Sequence, residues 1–416
     1  MTSLTTIPTK QHSAILACKR LGIDAHNLAD LSADQKSELL GHFPQFRELL
    51  ASSSGKAKPK GSALRVAFLT PGFWMGGAER WICSLARNFD PAKVVVSSVV
   101  VRDAGQINPL MLASLPRNIK FYDGREHLSE AARDCDLLIS WGCYDLPELT
   151  AGLDIPIVDV HHGANVTDYI KLLVSASVRT TKHIVAVSDA CKMQFTPEQW
   201  QQVKLIPNGA DPDRVTPRKG RKAFRQELGV AETESLVLCA SRIMPDKNTS
   251  FLVNAVAELD AEYKLCLVGP LKFYEKAEVD RWRKLLGTRL IIHEEVHHVG
   301  DYLAAADCFA LASLSEAHPL AVTEAWLAGL SVAMFHLPWV DWVEGQHGKL
   351  IYDCPMQCKD DPKVFALSIF QAATDQKLRA KPAKEIAWRH YTSSAMAARW
   401  EEWLGSVCNA IPHPIE

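Results

Sequence analysis

Short, continuous apolar runs alternate with amphipathic stretches over most of this chain. From about residue 64 onward, apolar runs at 66–70 and 94–101 are each followed by residues with helical spacing of apolar positions. Similar apolar runs lie at 136–140, 155–160 and 183–187. Strands that are apolar along their whole length are buried on both faces, which is typical of a parallel sheet covered by helices. This region therefore predicts a doubly wound α/β domain.

The same alternation begins again after a turn-rich, charged stretch at residues 211–220. The later strand and helix candidates are strands 236–240, 264–268, 289–292 and 308–312, and helices 249–259, 279–286 and 322–327. We therefore predict two tandem Rossmann-like domains, at 61–210 and 211–385. Ligands of such sheets bind at the carboxyl ends of the strands, so a shared ligand would lie between the domains.

Residues 1–60 form a separate region in this interpretation. Apolar positions between Ala14 and Leu21 recur at helical spacing, and Ser32 with Gln35 matches the capping box of a helix start. Residues 52–61 are polar and contain glycine and lysine, as flexible linkers do. We predict a short helical extension followed by a linker, of unknown task.

Composition narrows the classes of protein that fit. The 416 residues include 46 Lys and Arg against 48 Asp and Glu, a net charge of −2 that argues against nucleic acid as a partner. No apolar run reaches the roughly 20 residues needed to cross a bilayer, and residues 1–10 lack a signal-peptide core. The 11 cysteines show no paired spacing. We expect a cytoplasmic protein with reduced thiols.

The first domain offers two candidate ligand contacts. Gly76 and Gly77 follow the first strand and precede a helix, where backbone N–H groups can approach an anion or a polar ligand. Neither the dinucleotide fingerprint nor the P-loop pattern is present, and a plain strand-to-helix turn is the alternative. His162 follows the strand at 155–160 and is predicted either to contact a ligand from the cleft or to be structural.

The second domain carries two cations around the loop after its first strand. Arg242 directly follows that strand, and Lys247 precedes the next helix. A cation at a helix start opposes the helix dipole, which makes sense if an anion lies between the two. The fork of arginine and the point charge of lysine suit a diphosphate. Two solvated surface cations are the alternative.

Two carboxylates, Glu316 and Glu324, are separated by seven residues, with Pro319 between them. Proline suits the first turn of a helix, because its missing N–H would be unpaired there. We expect Glu316 on the loop before this helix and Glu324 in its second turn. Carboxylates accept paired hydrogen bonds and suit the vicinal hydroxyls of sugars. The alternative is a capped amphipathic helix with two solvated acids.

No metal site is predicted. Asp211 and Asp213 stand in a turn-rich stretch, where helix capping and turn formation explain them. The histidine pairs at 161–162 and 297–298 lack partners at ligand spacing.

Taken in order, these pieces resemble the retaining glycosyltransferases of family 4, which have the GT-B fold, over about residues 64–405. The segments that carry the resemblance are Gly76-Gly77-Ala78-Glu79-Arg80, His162-Gly163, Val187-Ser188, Ile206-Pro207-Asn208-Gly209, Arg242 with Lys247, Val268-Gly269, and Glu316 to Glu324 before Ala328-Gly329-Leu330. The resemblance also implies that residues 386–416 form a helix that crosses back to the first domain.

The resemblance implies metal-independent, retaining transfer of a sugar from a UDP- or GDP-sugar to a hydroxyl acceptor, as in polysaccharide biosynthesis. The nucleotide sugar is then a co-substrate, and no cofactor is expected. Arg242 and Lys247 would neutralise the diphosphate, and Glu324 would bind the ribose. The sugar would be held by Glu316 and by the backbone near His318, Pro319 and Leu320. Gly76 and Gly77 would approach the diphosphate, His162 would contact the sugar, and Ser188 ranks below these.

Some residues depart from the family pattern. Ala317 stands where the family usually has glycine, and His318 stands where it usually has an aromatic residue. The loop at 335–348 carries Trp339 and Trp342 in place of a glycine-rich segment. These departures leave the donor sugar undetermined. A sugar-nucleotide epimerase or hydrolase, a non-catalytic sugar-nucleotide binding protein and a DNA-base glycosyltransferase remain as alternatives.

The acceptor is expected to be a carbohydrate or a lipid-linked molecule bound by the first domain. Five residues of its loops are candidates for stacking on a sugar or for core packing: Phe73, Trp74, Met75, Trp141 and Tyr144. Lys171, Arg179 and Lys182 offer peripheral contact with a membrane, with a solvated helix face as the alternative.

Overall fold

The computed structural model describes residues 31–42, 63–271, 274–294, 298–374 and 376–409, together with Leu21 and Val296. The predicted helix between Ala14 and Leu21 and the linker at 52–61 lie outside this set, apart from Leu21. The capping box is confirmed: the N–H of Ser32 donates to Oε1 of Gln35 at 2.8 Å, and the N–H of Gln35 donates to Oγ of Ser32 at 3.2 Å.

The first sheet has seven parallel strands in the order β3-β2-β1-β4-β5-β6-β7. Its strands are β1 Leu64–Thr70, β2 Val94–Val101, β3 Lys120–Asp123, β4 Leu137–Trp141, β5 Ile157–His161, β6 His183–Ala186 and β7 Lys204–Leu205. The strand order reverses between β1 and β4, which opens a crevice at their carboxyl ends.

The second sheet has six parallel strands in the order β10-β9-β8-β11-β12-β13. Its strands are β8 Ser235–Ala240, β9 Tyr263–Val268, β10 Leu290–His293, β11 Cys308–Leu311, β12 Val332–Phe335 and β13 Ile351–Cys354. Its strand order reverses between β8 and β11. The prediction of two Rossmann-like sheets in tandem is confirmed.

Helices cover both sheets. They are α1 Ala33–His42, α2 Gly77–Asn88, α3 Pro109–Ala113, α4 Leu128–Arg133, α5 Leu146–Leu149, α6 Asp168–Thr180, α7 Pro197–Trp200, α8 Pro212–Val215, α9 Arg221–Glu227, α10 Thr249–Ala257, α11 Lys276–Leu286, α12 Gly300–Ala305, α13 Leu320–Ala328, α14 Pro338–His347, α15 Pro362–Thr374, α16 Gln376–His390 and α17 Ser393–Asn409. The expectation of a loop at 335–348 was wrong, because α14 occupies most of it, with a proline in its first turn.

The last two helices are separated at Tyr391 and Thr392, where the chain pairs with Ala210. The N–H of Ala210 donates to the carbonyl of Tyr391 at 2.9 Å, and the N–H of Ser393 donates to the carbonyl of Ala210 at 2.8 Å. A Cβ on Gly209 would overlap the carbonyl oxygen of Thr392, so this approach requires glycine. Helix α17 then packs on α2 of the first sheet's domain.

Candidate active site

The carboxyl edges of the two sheets meet across one cleft. Ser188, which follows β6, donates a hydrogen bond from its hydroxyl to the carbonyl oxygen of Ala317, which follows β11. A Cβ placed on Gly77 would lie 3.7 Å from Cδ1 of Leu320. The loops that the sequence singled out in the two domains are therefore neighbours in the structure.

Gly76 and Gly77 form the start of α2, with Gly76 as its N-cap. The space above Gly76 is occupied by Glu79, because a Cβ on Gly76 would overlap Oε2 of that carboxyl group. Burial raises the pKa of Glu79 to about 7, while hydrogen bonds from its own backbone and that of Trp74, and the charge of Arg242, oppose the rise. Glycine at 76 thus makes room for a neighbouring side chain, and Gly77 faces the second domain.

Lys247 and Glu316 form an ion pair at the carboxyl edge of the second sheet. Lys247 ends the 3-10 turn Pro245–Lys247 after β8, and Glu316 lies in the loop after β11. Nζ of Lys247 lies 2.6 Å from Oε1 of Glu316, with the side chains 16% and 12% exposed. Because β8 and β11 flank the reversal of strand order, this pair lies where open α/β sheets bind their ligands.

Arg242 lies two residues beyond β8 and is exposed. The chain beside it is packed tightly: Gly269 has a φ of 152°, and a Cβ there would overlap the carbonyl oxygen of Ser241. Only glycine fits such a close approach without strain. Across the cleft, the positive charge of Arg242 favours ionised Glu79 and so opposes part of the rise in the pKa that burial causes. The guanidinium is therefore close enough to the cleft to act on a negative group there.

Glu324 lies in the second turn of α13, as predicted, and is 4% exposed. Its Oε1 accepts a hydrogen bond from Nε of Arg214 at 2.7 Å, so the carboxylate has a cationic partner within the protein. Sequence analysis missed Arg214, which precedes Glu324 by 110 residues and lies in α8, a one-turn helix in a charged stretch with no distinguishing pattern.

A cavity of about 440 Å³ opens beside this pair, between the domains. The charged side chains along it are Arg80, Arg87, Asp211, Asp213, Arg214, Arg218, His298 and Glu324. Its basic groups come from both domains, which suits an anionic or strongly polar ligand.

His162 lies between two indole rings of the first domain. Its ring centroid is 4.9 Å from that of Trp81 and 5.7 Å from that of Trp141. Burial, together with the neighbouring histidines His161 and His318, lowers the pKa of His162 to about 3, so the ring is neutral near pH 7. Its Nε2 has no hydrogen-bond partner among the described residues. A neutral imidazole with an unpaired nitrogen can form one hydrogen bond with a ligand hydroxyl, either as donor or as acceptor.

His318 occupies the position where the sequence departs from the family pattern, and it is 6% exposed. Its ring packs edge-on against Tyr391 at 5.3 Å and Trp339 at 5.6 Å. Burial lowers the pKa of His318 to about 3. The side chain therefore packs among aromatic rings as a neutral group.

Pro319 does not lie in the first turn of the helix after Glu316, where it was expected. Pro319 is the N-cap of α13, with φ of −72° and ψ of 104°, and the helix begins at Leu320. Pro319 therefore precedes the first turn instead of lying within it. The N–H groups of Val322 and Thr323 donate to the carbonyl oxygen of Pro319 at 3.1 Å and 3.2 Å. Because the first N–H groups of a helix lack partners inside it, those of Leu320 and Ala321 are the ones that can serve a ligand.

Asp211 is explained by local structure, as predicted: its Oδ1 accepts a hydrogen bond from the N–H of Asp213 at 3.0 Å and caps α8. In the part of the chain that the structure describes, no group of three or more His, Cys, Asp or Glu residues could hold a metal ion. Within the same residues, no helix is both long and apolar enough to cross a membrane.

Comparison with known proteins gives a family model for the second domain and relatives along more of the chain. Residues 234–375 match the family model described as Glycosyl transferases group 1. The chain is 25% identical over 306 residues to the putative glycosyltransferase EpsF of Bacillus subtilis, covering 65% of this chain and 78% of EpsF. It is 28% identical over 172 residues to the D-inositol 3-phosphate glycosyltransferase of Xylanimonas cellulosilytica, covering 36% of this chain and only 41% of that protein.

Solved structures share the fold. HepE of Anabaena, in complex with UDP and glucose, superposes with a TM-score of 0.69 at 19% identity, covering 82% of this chain and 100% of HepE. Sucrose-phosphate synthase from Thermosynechococcus elongatus gives a TM-score of 0.65 at 16% identity, covering 83% of this chain and 100% of that one. The matched residues 234–375 include Arg242, Lys247, Glu316 and Glu324. This chain thus has the two-domain GT-B fold, and its residues 234–375 are similar to the glycosyl transferases group 1 family model.

Proposed function

We propose that this chain is a retaining glycosyltransferase that moves a sugar from a nucleoside-diphosphate sugar to a hydroxyl group of an acceptor. The observation that carries the proposal is the ion pair of Lys247 with Glu316, which lies at the strand-order reversal of the group 1 domain. It provides one cation for a diphosphate and one carboxylate for a sugar within a single contact. Arg242 supplies a second cation on the same loop.

Donor binding follows from these contacts. In our proposal, the diphosphate takes hydrogen bonds from Lys247 and Arg242, and Lys247 shifts part of its interaction away from Glu316. One oxygen of Glu316 is then free to accept a hydrogen bond from a sugar hydroxyl. The carboxylate of Glu324 accepts hydrogen bonds from the ribose hydroxyls, while Nε of Arg214 continues to donate to Oε1 of Glu324. HepE, with UDP and glucose in its structure, makes UDP-glucose the first donor to test.

The proposed reaction breaks the bond between the anomeric carbon and the diphosphate oxygen. An acceptor oxygen forms the new bond on the same face, and its proton passes to the departing diphosphate. Negative charge develops on that diphosphate, and preplaced cations stabilise it at little reorganisation cost. The two cations Arg242 and Lys247 fill this role without a metal. Glu316 is a sugar-binding group in this proposal, and the acceptor oxygen is the nucleophile.

His162 acts in this proposal as a neutral hydrogen-bond partner of the transferred sugar. Because its pKa is about 3, it carries no charge at pH 7 and repels no cation of the site. A change of pH between 6 and 8 leaves its protonation unchanged. We therefore expect a pH dependence of turnover near neutrality to come from other groups.

The experiment is to incubate the full chain with UDP-glucose and a panel of sugar acceptors, and to determine the anomeric configuration of the product by NMR. An α-linked product from the α-linked donor supports retention, whereas a β-linked product contradicts it. UDP release that needs no acceptor favours the epimerase or hydrolase alternative. UDP binding with neither release nor product favours a sugar-nucleotide binding protein.

A further inference from the structure

Three exposed aromatic rings lie at the carboxyl edge of the first sheet, and we call them the aromatic platform. They are Trp74, which is 41% exposed, Tyr144, which is 45% exposed, and Tyr169, which is 47% exposed. Trp74 follows β1, Tyr144 follows β4, and Tyr169 lies in the first turn of α6 after β5. Phe73 and Met75, also candidates from the sequence, are 0% and 9% exposed and belong to the core. The loops thus present a selected set of rings to solvent.

The three rings are held in place by their surroundings. Nε1 of Trp74 donates to Oε1 of Gln106 at 3.3 Å, and its indole lies over Gly72, where a Cβ would overlap the ring. The hydroxyl of Tyr169 donates to the carbonyl of Gly142 at 3.0 Å. The rings of Tyr144 and Tyr169 meet edge-on, with centroids 6.2 Å apart. Fixed aromatic rings lose little conformational freedom when they bind a ligand.

The charges beside the platform cancel one another. The guanidinium of Arg102 contacts the carboxylates of Asp103 at 2.6 Å and Asp145 at 3.0 Å. Arg125 contacts the same two carboxylates, at 3.4 Å and 3.2 Å. Arg102 also lies 4.7 Å from the ring centroid of Tyr144, so this neutral network supports the platform directly. Two arginines facing two aspartates leave no net positive charge here for a phosphate group.

The loops of Trp74 and Tyr144 lead to the proposed reaction site. Trp141, the last residue of β4, lies three positions before Tyr144, and its ring contacts His162 at 5.7 Å. Trp74 lies two positions before Gly76, on the loop that leads to the cleft. Two of the three rings therefore stand on loops that also carry residues of the proposed reaction site.

We propose that the aromatic platform binds an uncharged carbohydrate as the acceptor, with the apolar C–H face of a sugar ring stacked on the aromatic rings. This inference rests on the proposed function and names its acceptor class. The stacking accounts for exposed rings that do not pack in the core, and it uses the amphipathic character of tyrosine and tryptophan. The neutral network beside the rings disfavours a phosphorylated acceptor or an anionic lipid headgroup, which would need unpaired cations.

The test measures saccharide binding to the full chain without donor, by saturation-transfer NMR and titration. The probes are maltotriose and cellotriose as neutral saccharides, inositol 3-phosphate as a phosphorylated one, and vesicles of phosphatidylglycerol. We expect at least one neutral trisaccharide to bind and the charged probes to bind no better. Trp74→Ala and Tyr144→Ala should each weaken that binding by roughly fivefold to tenfold. Trp74→Phe, which keeps a ring, should retain most of it.

Two controls separate a loss of stacking from a loss of structure. Phe370→Ala removes a ring that is 47% exposed on α15 of the second domain, and it should leave saccharide binding unchanged. Thermal unfolding of each variant checks that the fold is intact. The inference would be overturned if neither trisaccharide binds, or if a charged probe binds more tightly than the trisaccharides. It would also be overturned if Trp74→Ala and Tyr144→Ala bind the trisaccharide as tightly as the unmodified protein does. The proposed function is tested apart from it, by UDP binding, which these two variants should not alter.

Discussion

The ion pair of Lys247 with Glu316 leads to a prediction that treats its two partners differently. Replacing Lys247 by Met removes the ammonium but keeps most of the side-chain volume. UDP should then bind more weakly, since a charge-assisted hydrogen bond contributes about 1.5–3 kcal/mol. That range corresponds to roughly a 10-fold to 150-fold rise in Kd. The low exposure of both side chains, 16% and 12%, places the effect well above that of a solvated surface pair.

Glu316→Gln should change the affinity for UDP and the affinity for UDP-glucose differently. UDP has no sugar to contact residue 316, and Lys247 no longer divides its interaction, so UDP affinity should stay the same or increase. UDP-glucose should lose affinity relative to UDP, because an amide cannot replace both acceptor oxygens of the carboxylate. The ratio of the two dissociation constants therefore reports whether Glu316 binds the sugar.

The assay is isothermal titration calorimetry with UDP and with UDP-glucose at two salt concentrations. Lys284→Met is the matched control, because Lys284 is exposed in the last turn of α11, at the end of that helix opposite the carboxyl edge of the sheet. It should bind both ligands as the unmodified protein does. Wild-type affinity for UDP in Lys247→Met, or an unchanged ratio of dissociation constants in Glu316→Gln, would refute the assignment of this pair.

Three further predictions concern stability. The pKa of Glu79 is about 7 in the folded protein and about 4.5 when unfolded, so the folded state holds the extra proton between these values and loses stability as pH rises through them. Glu79→Gln should remove a fall of up to roughly 3 kcal/mol between pH 4.5 and 8, measured by urea unfolding. Arg214→Ala leaves the buried carboxylate of Glu324 unpaired and should cost about 3–5 kcal/mol, seen as a lower Tm that Glu324→Gln in the same chain partly restores. Gly209→Ala forces a methyl group against the backbone of Thr392 and should lower the Tm, whereas Gly405→Ala, inside α17 with no atom within 4 Å, should not.

Much of the fold follows from local patterns in the sequence. Strands such as β1 and β8 are apolar along their length because they are buried on both faces, and this property is legible in a single segment. Strand β3, Lys120–Asp123, was not predicted, because its edge position leaves it mixed in polarity. Strand β7 has two residues, too few to produce a pattern.

The candidate site was only partly predictable for a different reason. The residue types and their order indicated a donor site, and the structure brings Lys247 and Glu316 together although they are 69 residues apart. The partner of a charged group depends on tertiary packing, so the pair Arg214–Glu324 had no signal in the sequence. The same holds for Glu79, whose carboxyl group takes the space above Gly76 that the sequence had suggested for a ligand.

The pairing of Ala210 with Tyr391 and Ser393 has a mechanical consequence. The main chain crosses between the two domains near Ala210 and again near Tyr391 to Ser393. These two segments lie side by side and are joined by hydrogen bonds. A single covalent tether would permit twisting as well as bending, but two adjacent ones leave bending about their common line as the easy movement. We therefore expect the two domains to open and close by a hinge movement about the line through Gly209 and Thr392.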